Sequence, residues 1–448
     1  MLSNSIAQKF TPLTLIRFAL PSMVMMIFMS CYTIVDGIFI SRFVGSHGLS
    51  AVNLVYPVIN ILFAVGIMLA TGGSAFVATE LGEGRPKDAQ KHFSLLVFTS
   101  VLASVILLIV TLLFIDPISL ALGADQELLP YCRAYLGVTI LFGPACMLQT
   151  MFQSFFVTAG KPHYGLILTI TAGIANAVLD YVFMGVLGFG VEGAALATGL
   201  GQAVPAVFGL FYFGFSKGSL RFRRFRAEAK VLVQSCLNGS SEMVSNLSNA
   251  VVTYMFNIVM MRLAGADGVA SITILLYAQF LFNSLYLGFS MGVAPVISFQ
   301  HGAGKKEELK NTYHISKLFT LGSAVGITVL SLFMADFVAK IFVEPGTAVY
   351  ELTRQGFRIF AFSFLFSGYN IYSSALFTAL SDGKTSAILS FSRTFVFILL
   401  SLLLLPAVLG VTGAWLAIPL AEFATIFLSM FYNRRLNKGP ILDPATQI

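Results

Sequence analysis

Long apolar stretches alternate along the chain with short polar breaks. The apolar stretches cover residues 12–40, 49–80, 89–115, 128–158, 163–187, 191–216, 231–263, 268–299, 308–341, 351–380, 385–408 and 411–433. Each exceeds the roughly 20 apolar residues a helix needs to cross a bilayer. The pattern predicts twelve transmembrane helices in an all-α integral membrane protein. Pro21, Pro57, Pro144, Pro205, Pro295 and Pro419 fall inside spans. Membrane helices tolerate proline because neighbouring helices take up the freed backbone groups.

Composition agrees. Of 448 residues, 57% are hydrophobic and 10% charged, against about 25% charged in a soluble domain. That excludes a soluble globular protein, a disordered chain and a secreted disulfide scaffold. The net charge of +7 is spread over short loops, which fits membrane orientation and not nucleic-acid binding. Cys31, Cys132, Cys146 and Cys236 lack CxxC spacing and read as buried thiols. The first apolar stretch lacks a cleavage site and reads as a retained span. No HExxH, paired-acid or phosphate-loop motif is present. The expectation is a protein that is not an enzyme and carries no cofactor.

Loop charge sets the orientation. With both termini inside, nineteen lysines and arginines fall on inner loops and tails, among them Lys217, Arg221, Arg223, Arg224, Arg226 and Lys230. Only Arg42, Arg262 and Lys340 fall outside. That is a strong positive-inside bias. Arg133, Arg354, Arg358 and Arg393 lie near span ends and are expected to snorkel to headgroups.

The two halves of the chain repeat. At a shift of 220 residues, Arg42, Gly45 and Gly48 match Arg262, Gly265 and Gly268, and Asp116 matches Asp336. Gly190, Gly193, Ala194, Leu196 and Ala197 match Gly410, Gly413, Ala414, Leu416 and Ala417. Across a three-residue insertion, Gly160 and Lys161 match Gly383 and Lys384. The expected organisation is a six-helix lobe over 1–216, a basic cytoplasmic linker over 217–230, a second six-helix lobe over 231–436 and a tail over 437–448. Two lobes of like orientation are related by an axis along the membrane normal, with the substrate path between them, as in alternating-access transporters.

Ionisable groups deep in a span cost at least about 2.5 kcal/mol each and mark function. Asp36, Asp180, Glu242 and Glu422 are such groups. Asn176 lies one turn from Asp180 on the same helix face. From span ends, Asp36, Asn176, Asp180 and Thr198 fall roughly 8–18 Å below the outer surface. Oxygen ligands of this kind suit sodium, and two neighbouring acids suit a proton site. The bland alternative is that each acid bonds to a neighbouring helix. Ser240, Glu242 and Asn246 begin the seventh span and are candidates for a substrate cavity, as are Met26 and Met29, since methionine adapts to varied ligand shapes. Polar glue between helices accounts for the former equally well. Glu422 lacks an evident partner and is expected to be structural.

Together these residues resemble the multidrug and toxic compound extrusion (MATE) family over essentially the whole chain. The resemblance is carried by Pro21, by Val35-Asp36-Gly37-Ile38-Phe39-Ile40 followed by Gly45, and by Gly82-Glu83-Gly84. Ala159-Gly160-Lys161-Pro162, Asn176 with Asp180, and the run Gly190–Thr198 add to it, as does Gly410–Ala417. The chain looks most similar to the MepA-like bacterial branch. The resemblance implies two lobes in a V shape and export of organic cations or amphipathic drugs in exchange for protons or sodium. It implies that the cation-coupling site is Asp36, Asn176, Asp180 and Thr198. The tenth span has no acid from Phe357 to Leu380, unlike that of some NorM-like members.

The expected function is therefore a multidrug efflux antiporter in a bacterial inner membrane, with both termini cytoplasmic. Its partners are small-molecule drugs and the lipid bilayer, not nucleic acid, and a monomer suffices. The alternative is a flippase for a lipid-linked saccharide or cell-wall precursor, which would be expected to carry a strongly cationic cavity.

Overall fold

The computed structural model describes residues 5–437 and Gly439. Most of the expected tail over 437–448 thus lies outside the described residues. The chain folds into α1 (Pro12–Phe43), α2 (Gly45–Gly82), α3 (Pro86–Leu113), α4 (Ile115–Ala121), α5 (Leu129–Leu141), α6 (Gly143–Thr158), α7 (Pro162–Asp180) and α8 (Gly190–Phe215). It continues through α9 (Ala229–Gly302), α10 (Lys306–Phe342), α11 (Ala348–Phe360), α12 (Phe364–Ala379), α13 (Gly383–Phe391), α14 (Phe397–Leu409) and α15 (Val411–Asn437). A π-helical turn, Tyr181–Val186, extends α7, and another, Ser392–Val396, joins α13 to α14.

Ten of these helical runs are long and apolar enough to cross a membrane, and α5 with α6, bent by 50°, forms an eleventh. The run α9 counts twice. At 1.5 Å per residue it is far longer than one crossing needs, and it breaks at Gly265, whose φ of 63° is non-helical. Twelve spans result among the described residues, within a few residues of the predicted bounds.

Packing divides the chain into two compact units. The first holds Val24–Gly239 and the start of the chain up to Gln8; the second holds Lys9–Met23 and Ser240–Ile448. Each unit therefore contains one helix start from the other half of the sequence, which the lobe boundaries at 216 and 231 do not anticipate. Glycines make both attachments. In the first unit a Cβ on Gly72 would lie 2.0 Å from the Ser235 carbonyl, and one on Gly239 2.0 Å from that of Met68. In the second, a Cβ on Gly288 would lie 2.5 Å from Met23 Cα and one on Gly292 2.9 Å from Ala19 Cα. Helices in lipid gain little from apolar burial against each other, so such close backbone contact is what holds them. Gly288-Phe289-Ser290-Met291-Gly292 also spells the GxSxG of a nucleophile elbow. Here it lies mid-helix, without the strand-to-helix turn that motif requires.

The repeat is visible in backbone and side chains. Gly190 and Gly410, matched in sequence, open α8 and α15 at φ values of 58° and 57°, a conformation that favours glycine. Arg133 Nε donates to Asp116 Oδ1 at 2.9 Å in the first unit. Arg354 lies 3.6 Å from Asp336 in the second. These arginines pair with acids at the span ends, a partnership that the expectation of snorkelling had not included. The Gly160 match is also corrected. Gly160 N bonds to Val157 O and Lys161 N to Phe156 O. The same pattern runs from Ser381 N to Thr378 O and from Asp382 N to Phe377 O. Ser381, at φ 62°, is thus the structural counterpart of Gly160, and Gly383 already lies inside α13.

The linker after α8 is not loose. Gln90 Nε2 donates to Ser219 O, and Arg223 N to Ser94 Oγ, both at 2.9 Å. Phe222 stacks on Phe93 with centroids 5.2 Å apart, closing a buried cluster of Phe93, Phe152, Phe155, Phe156 and Phe213.

Candidate functional site

Asp36 is carried on the second part of α1, Asn176 and Asp180 on α7, and Thr198 on α8, all in the first unit. Glycines bring these helices together. A Cβ on Gly173 would meet Phe28 Cε1 at 2.6 Å and Tyr32 Cδ1 at 3.5 Å, so α7 lies close against α1 one to two turns before Asp36. A Cβ on Gly201 would lie 3.0 Å from Ala172 O and 3.1 Å from Asn176 Cβ, so α8 lies close against α7.

The four residues form two pairs, Asp36 with Asp180 and Asn176 with Thr198. The Asp36 and Asp180 carboxyl groups lie close enough for each to influence the other. Asp180 is fully buried, and no donor among the described residues reaches either of its oxygens or Asp36 Oδ1. Two carboxyl groups in this position hold together only through a shared proton or an intervening cation, since like charges at contact cannot both stand bare. Asn176, one turn before Asp180, donates through Nδ2 to Thr198 Oγ1 at 3.3 Å. The donor set is hard oxygen, which fits sodium as well as a proton.

Several neighbours were not singled out in the sequence. Tyr32 and Tyr135 lie close enough to feel the Asp36 charge, and Tyr135 that of Asp180 as well. The π-helical turn begins immediately after Asp180. Such turns are frequent at functional sites because they shift side-chain register within a helix. Nothing in the local sequence announces them.

The cavity candidates are spread over both units. Met29 and Met26 lie half-buried on α1 in the first unit. Gln153 Nε2 approaches Met29 Sδ at 3.7 Å and donates to Thr169 Oγ1 at 2.9 Å. Ser240, Glu242 and Asn246 begin the second unit's part of α9, and Asn246 Nδ2 donates to the Glu242 carbonyl at 2.9 Å. Glu242 is half-buried, and the charge of Arg393 in the same unit reaches it. Glu422 does have partners. Arg393 Nε donates to its Oε1 at 2.8 Å and Asn370 Nδ2 to its Oε2 at 2.7 Å. Arg393 is therefore held in a buried pair and does not snorkel.

A family model described as MatE matches this chain twice, over residues 21–182 and 243–403. The chain belongs to the MatE family. The two MatE matches are offset by about 220 residues, the period of the internal repeat. Asp36, Asn176 and Asp180 fall in the first match, while Thr198 and Glu242 lie just outside the matched stretches. A multidrug export protein MepA of Staphylococcus haemolyticus is 26% identical, covering 97% of this chain and 96% of that protein. A MATE structure in complex with MaL6 superposes with a TM-score of 0.92 at 22% identity, over 97% of this chain and 98% of that one. An outward-facing multidrug resistance MATE transporter of the MOP superfamily gives 0.89 at 23%, over 96% of each chain. The fold is thus that of MATE transporters, and the chain is a multi-pass membrane protein.

Proposed function

We propose that this protein exports organic cations or amphipathic drugs across a bacterial inner membrane in exchange for protons or sodium. The Asp36–Asp180 contact carries the reading. It sets a half-buried Asp36 beside a fully buried Asp180 whose oxygens receive no donor from the described residues, with the Asn176–Thr198 hydrogen bond one turn away along α7. The coupling ion binds at this contact. Its arrival from outside neutralises the pair and lets α1 and α7 close on each other. Its departure to the inside leaves two acids that repel, which loosens the same contact and restores the drug-binding form. A potential of 100 mV supplies about 2.3 kcal/mol per charge moved, and a pH gradient adds to it. The family membership and the full-length MepA relative support a multidrug substrate range. The loop charges support cytoplasmic termini, and a single chain suffices for the site.

The test is uptake of a fluorescent organic cation into inside-out vesicles under a pH gradient or a sodium gradient applied separately. Wild type is compared with Asp36→Asn and Asp180→Asn. Uptake under one gradient, lost in both variants, is the expected result and names the ion. Full-rate export by Asp36→Asn would remove the coupling assignment. Folded protein without uptake under either gradient would favour a lipid-linked substrate.

A further inference from the structure

Two adjoining hollows, of about 720 and 100 Å³, lie in the second unit around the end of α15. The larger is lined by Phe427, Met430, Phe431, Arg434 and Arg435. The smaller shares Met430 and Arg434 and adds Lys317 and Tyr313 from α10, Tyr369 from α12, and Asn433. Three features of this place are unaccounted for by the fold. Lys317 is half-buried within an apolar helix, and among the described residues no carboxylate pairs with it, with Arg434 or with Arg435. Asn433 is 2% exposed. Its Nδ2 is fully engaged, to Ser373 Oγ at 2.9 Å and Ser429 O at 2.8 Å, yet its Oδ1 is buried with no donor. Phe427 and Phe431 present 58% and 59% of their surface outward, directly below the two arginines in the helix.

These features ask for one ligand with three parts: an anion for the cations, a hydroxyl donor for Asn433 Oδ1, and apolar chains for the phenylalanines. We infer that α10, α12 and the end of α15 form a binding site for an anionic phospholipid with a hydroxyl-bearing headgroup, of the phosphatidylglycerol type. The phosphodiester accepts from Lys317 and Arg434, because basic pockets between spans near the membrane surface select anionic headgroups. The glycerol hydroxyl donates to Asn433 Oδ1, which satisfies a buried acceptor that is costly to leave bare. The acyl chains lie along Phe427, Met430 and Phe431. A free phosphate lacks the chains and leaves that apolar wall uncovered, so the lipid is the occupant. The inference stands apart from the transport reading and needs only that the chain lies in a bilayer.

The test uses the full-length protein in detergent, with phosphatidylglycerol or phosphatidylcholine of the same chains added and bound lipid counted by native mass spectrometry. Phosphatidylglycerol adducts are expected to outlast phosphatidylcholine adducts. The Lys317→Gln/Arg434→Gln double variant is expected to lose about thirtyfold in phosphatidylglycerol affinity, the worth of two basic residues at an anionic surface. Lys317→Arg, which keeps the charge, should retain binding and shows that the fold tolerates change there. Equal binding of the two lipids, or undiminished phosphatidylglycerol binding by the double variant with its fold intact, would overturn the site. Thermal stabilisation by inorganic phosphate alone, matching that by the lipid, would overturn the lipid assignment in favour of a soluble phosphate.

Discussion

Arg393 and Glu422 form a buried ion pair 2.8 Å long between neighbouring spans of the second unit. Both charges are largely out of water, at 16% and 3% side-chain exposure. Removing one partner of such a pair leaves the other charge stranded, at about 3–5 kcal/mol, whereas replacing both with apolar residues is often neutral. Arg393→Met is expected to lower the melting temperature of the purified protein strongly. The double variant Arg393→Met/Glu422→Met should recover most of the loss. A single variant that melts like wild type would show that the pair contributes nothing to stability.

Asp180→Asn separates folding from coupling. The new amide can donate to Asp36, giving the bare acid contact a hydrogen bond worth about 1 kcal/mol. The variant is expected to melt at or above the wild-type temperature and to show no gradient-driven transport. Melting well below wild type would instead assign Asp180 a structural part.

Gly201→Ala tests whether the site depends on helix approach. The added methyl meets Ala172 O and Asn176 Cβ at 3.0 and 3.1 Å. It must push α8 from α7, at about 1–3 kcal/mol, and so move Thr198 from Asn176. Transport should fall although no polar group is altered. Gly214 on the same helix has nothing within 4 Å of an added Cβ. Gly214→Ala should leave transport intact and stabilise the helix by up to about 1 kcal/mol. Equal activity of the two variants would show that the α7–α8 spacing is irrelevant.

Phe222→Ala addresses the linker. Its four arginines are trypsin sites, but the segment is bonded to α3 and anchored by the Phe93–Phe222 stack. Losing an aromatic pair beyond its area burial costs about 0.5–1.5 kcal/mol, so cleavage through local opening should rise by about two- to tenfold. Limited digestion followed on a gel reads this directly, and unchanged cleavage would mean the linker is held elsewhere.

The spans, the repeat and the four coupling candidates were legible because each rests on one-dimensional signals. These are apolar length, fixed-shift matches, and the rarity of acids in a lipid-facing helix. What stayed hidden depends on which helices touch. Arg393 and Glu422 lie 29 residues apart on separate spans, and loop counting had no way to pair them. The π-helical turn after Asp180 reflects packing, not composition. At the 381–384 loop, Gly383 drew the sequence match to itself, while the left-handed position fell to Ser381, an uncommon residue for it. The exchange of helix starts between units is invisible to any reading that cuts the chain at its most basic loop.

That exchange sets an order of assembly on the ribosome. Residues 9–23 belong with a surface that includes Gly288 and Gly292, made about 265 residues later. At about 5–20 residues per second, the first helix start waits some tens of seconds for its partner. The first unit needs only Gly239 to be complete. It has all its residues while the second is still being synthesised, including the opening turns of a helix whose remainder is still to be made.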